Sequence, residues 1–225
     1  MKRVLLAVCV FLLAQGVAFA GLFGPAQATG KKGQFSFGPG LVSYSGELDN
    51  SIDFQQTQAY LQLGYALSDK AEIYLQGGAA DFNVEDVFVN DDFEDGFRPF
   101  GAIGFKALLI DRKPIGIGVF AQGTLFSDYD DENNFTKVEL TGMYEVAGGV
   151  VFQSVLDGAI LYGGPYFFMR EGDFEIGNVS GSFEEDSNFG GFIGMRWPLR
   201  NGINIDLEGH VRTGLSIGAD ILYNF

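Results

Sequence analysis

The chain has 225 residues, 47% of them apolar, and carries 29 acidic against 14 basic side chains for a formal charge of −15. An acidic excess of this size excludes nucleic acid as a partner, because phosphate binding needs clustered cations. Beyond the N-terminal leader no stretch reaches the roughly 18 consecutive apolar residues of a membrane helix, so the apolar content must be spread in another pattern.

The leader is read first. Lys2 and Arg3 precede an unbroken apolar run, Val4 to Leu13, and Ala18-Phe19-Ala20 places small residues at the two positions a signal peptidase reads. Residues 1–20 are therefore expected to be a secretory signal cut after Ala20; the run is too short for an anchor helix. Cys9, the one cysteine, lies inside it, so the mature chain has no thiol and no disulfide framework. About 205 residues remain, enough for one barrel domain. Residues 21–32 read as a small N-terminal linker, and residues 33–225 as the folded domain.

After the linker the period is two. Across 58–67, Ala59, Leu61, Leu63, Tyr65 and Leu67 share one side, and Gln58, Tyr60, Gln62, Gly64 and Ala66 the other. Such alternation predicts a strand with two unlike faces. In 137–150, Val138, Leu140, Tyr144, Val146 and Val150 oppose Lys137, Glu139, Thr141, Met143 and Glu145. In 203–212, Ile203, Ile205, Leu207 and Val211 oppose Asn204, Asp206, Glu208, His210 and Arg212. At the C-terminus Leu215, Ile217, Ala219, Ile221, Tyr223 and Phe225 oppose Ser216, Gly218, Asp220 and Asn224. Ten such segments are predicted, near 34–45, 56–68, 72–82, 98–109, 115–126, 136–150, 158–169, 188–198, 203–211 and 214–225. The first changes parity around Gly38-Pro39-Gly40, which suggests a bulge or bend.

The connections alternate. Ser68 to Ala71, Asp111 to Pro114, Ser154 to Gly158 and Arg200 to Gly202 are short and mostly carry turn residues. Gly46 to Phe54, Asp81 to Phe97, Ser127 to Phe135 and Glu171 to Asn188 are mostly longer and acidic. Tilted strands of about ten residues, with short turns at one end and long loops at the other, are the habit of outer-membrane barrels. Lipid cannot satisfy a free row of backbone groups, so the sheet must close. The fold expected is an all-β, closed, antiparallel up-and-down transmembrane barrel of about ten strands, with eight as the alternative. Tyr65, Trp197, Tyr223 and Phe225 would lie at the periplasmic interface, and Phe97, Phe126, Phe135, Phe167 and Phe189 at the outer one.

The last strand, with Ile221, Tyr223 and Phe225 at alternate positions, resembles the C-terminal strand of outer-membrane barrels. In that family an aromatic terminus is read by the barrel assembly machinery. More broadly the chain resembles the small outer-membrane β-barrel domain proteins, the opacity-type and outer-membrane-protein-A-like barrels, over about residues 33–225. Those relatives usually have eight strands. The resemblance implies outer-membrane location in a Gram-negative bacterium, with outer-membrane lipid and lipopolysaccharide as surroundings; it implies no activity.

By parity Glu72, Lys106, Glu139, Glu145, Arg196, Asp206, Glu208, His210 and Arg212 point inward. Ten strands lie near the width that side chains alone can fill, so a lumen closed by ion pairs is expected, with a narrow charge-lined pore for small solutes as the alternative. His210 has Asp206 and Glu208 on its face and Ser216 on the next strand, the weakest of three readings being a barrel enzyme centred there. Acidic runs at Asp91, Asp92, Glu94 and Asp95, at Asp128, Asp130, Asp131 and Glu132, and at Glu184, Glu185 and Asp186 read as solvated loop charge. Divalent cations bridging them to lipopolysaccharide phosphates are the minority reading. No residue is assigned as catalytic, cofactor-binding or metal-binding, and no cofactor is expected. The function expected is a non-enzymatic outer-membrane barrel that anchors acidic extracellular loops, for envelope integrity or surface interaction.

Overall fold

The computed structural model describes residues 22–48, 52–88, 91–112, 114–133, 136–177, 179–185 and 188–225. Its strands are β1 Phe35–Leu48, β2 Ile52–Ser68, β3 Ala71–Phe88, β4 Asp91–Arg112, β5 Ile115–Phe126, β6 Tyr129–Asn133, β7 Thr136–Leu156, β8 Ala159–Ile176, β9 Val179–Glu184, β10 Phe189–Pro198, β11 Ile203–Val211 and β12 Leu215–Asn224. A single 3-10 turn, Arg200–Gly202, is the only helical element among the described residues.

These twelve elements form ten barrel staves. Neighbours pair antiparallel, β7 pairs with β8, and β1 pairs with β12, which closes the sheet. The two short strands extend others. β5 and β6 lie end to end along β7, with Leu125 opposite Tyr144 and Tyr129 opposite Leu140. β10 and β9 likewise share β8, with Phe189 opposite Phe167 and Glu184 opposite Glu171. Most of what reads as loop in the sequence is therefore ladder: β3 and β4 stay paired up to Phe88 opposite Asp91.

The faces are sorted as expected. Leu61, Ile103, Phe152, Ile193, Val211 and Phe225 are exposed outward. Gln62, Lys106, Arg196, Asp206, Glu208 and His210 are buried inside. Apolar atoms outside and charges inside invert the plan of a barrel in water. At the short-turn end the rings of Phe35, Tyr65, Tyr223 and Phe225 form an outward ladder, with Phe35 4.9 Å from Tyr65 and 6.1 Å from Phe225. Inward tyrosines lie flat over cross-strand glycines: a Cβ at Gly104 would fall 2.1 Å from the Tyr74 ring, and one at Gly194 2.5 Å from that of Tyr162. The glycines thus make room for large lumenal rings.

Three expectations change. No register break occurs at Gly38-Pro39-Gly40; β1 keeps one parity from Phe35 to Gly46. Register shifts lie elsewhere, at Ala66–Ser68, Ala80–Phe82, Val84–Phe88 and Leu108–Ile110, and the one that overturns a reading of faces is in β7, between Thr141 and Tyr144, where Gly142 takes φ +63°. The bulge flips every residue beyond it. Val138 and Leu140 are buried and Lys137 pairs with Glu139 near the surface, the reverse of unbroken alternation. Phe126 faces inward, buried, rather than sitting at an interface. Phe135 lies outside the described residues; Phe97, Phe167 and Phe189 are exposed as expected.

Candidate functional site

The lumen holds the protein's concentrated chemistry, and its central occupant is the segment that reads as a linker. Leu22, Phe23, Ala26, Ala28 and Thr29 are all buried inside the barrel. The segment enters at the short-turn end, where the Gly33 N–H donates to the Ala66 carbonyl and the Gln34 N–H to the Lys31 carbonyl. It has no partner strand, so its backbone polar groups must be satisfied by side chains.

Two carboxylates supply most of that. Glu208, on β11, accepts from the Phe23 N–H through Oε1 and from the Gly24 N–H through Oε2, both at 2.8 Å. Glu72, on β3, accepts from the Thr29 N–H at 2.6 Å and the Thr29 hydroxyl at 3.1 Å. The Asn224 amide donates to the Thr29 carbonyl at 2.9 Å, and Gln153 and Gln27 bond each other. Gly24 has φ +72°, and a Cβ there would sit 3.2 Å from Lys106 Nζ and 3.3 Å from an Arg196 nitrogen. Only glycine suits both the conformation and the space. The Phe23 ring stacks on Phe120 at 3.9 Å and meets His210, Tyr166 and Phe192 edge-on at 4.9, 5.2 and 5.5 Å. Ala26 lies against Gly118, where a Cβ would come within 2.3 Å of it.

Around the segment, charges pair across strands. Lys106 lies 3.3 Å from Glu72. Arg196 grips Asp206 through two nitrogens and also donates to the Thr29 hydroxyl at 3.1 Å. Nearer the other end, Glu145 accepts from Arg170 and Arg212, each at 3.0 Å, and Arg212 also donates to Glu185 at 2.6 Å. The Arg212 guanidinium lies 3.6 Å over Phe168 and that of Arg170 5.0 Å over Tyr44. Leu22 is the segment's one member of the cluster that fills this end, with Tyr44, Phe54, Phe82, Tyr129 and Phe183.

Of the inward residues named from parity, Glu72, Lys106, Glu145, Arg196, Asp206, Glu208, His210 and Arg212 all have buried side chains within the lumen. Glu139 does not; it stands beyond the bulge, beside Lys137. Sequence reasoning missed Arg170 and Glu185. Glu185 sits in an acidic run that reads as solvated, yet it is buried against Arg212 and Tyr44. Glu184 beside it is exposed; the side chains of Asp91, Asp92, Glu94, Asp95, Asp131, Glu132 and Asp186 lie outside the described residues. Among the described residues, no three His, Cys, Asp or Glu side chains converge as a metal-holding group.

His210 is fully engaged. Its Nε2 is 2.7 Å from Glu208 and its Nδ1 3.3 Å from the Tyr166 hydroxyl. Ser216 faces it in register on β12, but both ring nitrogens already have other partners.

No family model matches this chain, and no curated protein is similar to it. Solved structures share its fold. The translocator domain of the autotransporter NalP from Neisseria meningitidis superposes with a TM-score of 0.54 at 10% identity, over 100% of this chain and 96% of that one. An outer membrane channel from Pseudomonas putida F1 gives 0.50 at 9% identity, over 92% and 100%. The outer membrane protease OmpT from Escherichia coli gives 0.46 at 9%, over 85% and 96%. The first two superpositions, at identities this low, establish one thing, that the chain has the fold of outer-membrane β-barrels; the opacity-type and outer-membrane-protein-A-like likeness finds no separate match.

Proposed function

We propose that this protein is a non-enzymatic, sealed barrel of a Gram-negative outer membrane, and that its working surface is the acidic hairpin end. The apolar outer face and the closed ladder support the location, since only a closed sheet satisfies its backbone in hydrocarbon. The observation that carries the sealed reading is the buried N-terminal segment, bonded to Glu208 and Glu72 inside the lumen. Above it the Tyr44, Phe54 and Tyr129 cluster occupies the same bore. Stave length supports the hairpin reading. β4 has 22 residues and β7 has 21. At about 3.3 Å per residue and a tilt near 45°, such staves rise about 50 Å, roughly twice the apolar band. The surplus stands clear of lipid and carries the acid runs; divalent cations between these and lipopolysaccharide phosphates are the partners this reading implies.

The burial of His210, 1% exposed with the Phe23 ring against it, supports the non-enzymatic part, because a general base must lie within reach of a substrate proton. The purified mature protein in planar bilayers tests the seal. No reproducible single-channel steps are expected, and regular steps would transfer the reading to a narrow solute pore.

A further inference from the structure

We propose that the lumen is a peptide-binding site, that residues 22–30 are its ligand held in cis, and that an emptied barrel takes the same segment in trans.

The seat is built for a ligand independently of the tether. Glu208 is buried at 1% exposure, and besides His210 its hydrogen-bond donors are two successive backbone N–H groups of the segment. A buried carboxylate that loses such donors keeps its desolvation cost without compensation, so the empty seat retains a strong demand for paired N–H groups. Three features make the demand specific. The box of Phe120, Tyr166, Phe192 and His210 takes one aromatic ring beside those N–H groups. The next position, at φ +72° beside Lys106 and Arg196, favours glycine. Glu72 and Arg196 together take a hydroxyl residue five positions later, donating to the one and accepting from the other. The ligand class is therefore a short, bent peptide of the pattern aromatic-Gly followed at that spacing by Ser or Thr, which this chain supplies as Phe23-Gly24 and Thr29. The interaction does not need chain continuity: among the described residues the tether, at Lys31 to Gln34, lies at the mouth, outside the seat.

The test uses a chain lacking residues 21–30, refolded in detergent and checked for heat-modifiable migration, and a peptide of residues 21–31 labelled on the exposed Lys31 side chain. Saturable binding to the shortened barrel is expected, with none to the full mature barrel, whose seat is filled. A Phe23→Ala peptide, or Glu208→Gln in the barrel, weakens binding on the order of thirtyfold or more, the scale for losing an anchor residue. No saturable binding by a correctly migrating shortened barrel overturns the proposal, as does equal binding by the full barrel. If the shortened chain does not fold, the full chain decides. Its mature part has no cysteine, so Ala26→Cys is a unique, buried reporter for a bulky maleimide. Labelling is expected to be slow, faster when Phe23→Ala is added, and faster again when intact peptide displaces that weakened cis copy. A rate indifferent to Phe23 and to peptide overturns the proposal.

Discussion

The two halves of the lumen are closed by different means. In the half near the short turns, the filler is a piece of main chain, and Glu72, Lys106, Arg196 and Asp206 surround it. In the half near the hairpins, the filler is side chains rooted on the staves: Tyr44, Phe54, Phe82 and Phe126, with Arg170 and Arg212 laid across their rings. Main chain arrives with an N–H and a C=O at every residue, so it recruits carboxylates and amides wherever it runs. Rings bring few polar atoms and recruit guanidinium planes instead. The same barrel thus has one half that works by capturing a segment and one that works like a protein core.

The largest difference is expected from removing an arginine in each half. Arg196→Ala leaves Asp206, 1% exposed, with no other cation bonded to it among the described residues, and takes a donor from Thr29 as well. Breaking a buried pair on one side costs about 3–5 kcal/mol. Arg170→Ala removes its bonds to Glu145 and Gln56 and its ring contacts but leaves Glu145 still bonded to Arg212, so no buried carboxylate is orphaned and a smaller loss, about 1.5–3 kcal/mol, is expected. Urea midpoints of the heat-modifiable form measure both. Equal losses would mean that the hairpin half has no redundancy in its pairing.

A smaller effect isolates the hairpin end. Gly142→Ala forces a residue with a Cβ to keep φ +63°, while the Cβ itself meets nothing closer than 3.8 Å. The cost is backbone conformation alone, about 1–2 kcal/mol. Because the bulge sets which face Val138 and Leu140 present, limited proteolysis is expected to cut the β6–β7 hairpin sooner, with the shielding of residue 26 unchanged. Loss of that shielding would show that the two halves are one cooperative unit.

These contrasts also explain what the sequence made legible. Period-two alternation depends only on the solvent outside and the packing inside, so ten staves, both faces and eight of the nine charged residues read as inward could be placed from spacing. Glu139 was misread because one inserted residue at Gly142 flips parity and glycine is common throughout this chain. The segment 22–30 was misread for a different reason. Gly24, Pro25 and Gly30 are the marks of a connection, and nothing in local composition distinguishes a linker in water from a ligand in a lumen. The available signal was indirect: by parity Glu208 and Glu72 point into a narrow bore, and the single donors beside them, His210 and Lys106, leave carboxylate oxygens with room for further N–H groups. Glu185 was hidden in the same way, since an acid in an acidic run looks solvated until Arg212 is seen to reach it.

The smallest effect separates burial from position. Lys70 and Asp111 form an ion pair at 3.4 Å at the short-turn end, the same end as Arg196 and Asp206, but their side chains are 54% and 45% exposed. Water screens such a pair, and holding two mobile side chains together offsets the rest, so Lys70→Ala is expected to cost under about 1 kcal/mol. What loss remains should vanish at about 1 M salt, where screening reaches about 3 Å, whereas the Arg196→Ala deficit should persist there because solvent ions do not enter the filled lumen. Urea midpoints of the two variants at low and high salt make the comparison. A salt-insensitive Lys70→Ala loss as large as that of Arg196→Ala would mean that the short-turn rim, and not the captured segment and its charges, holds this half of the barrel shut.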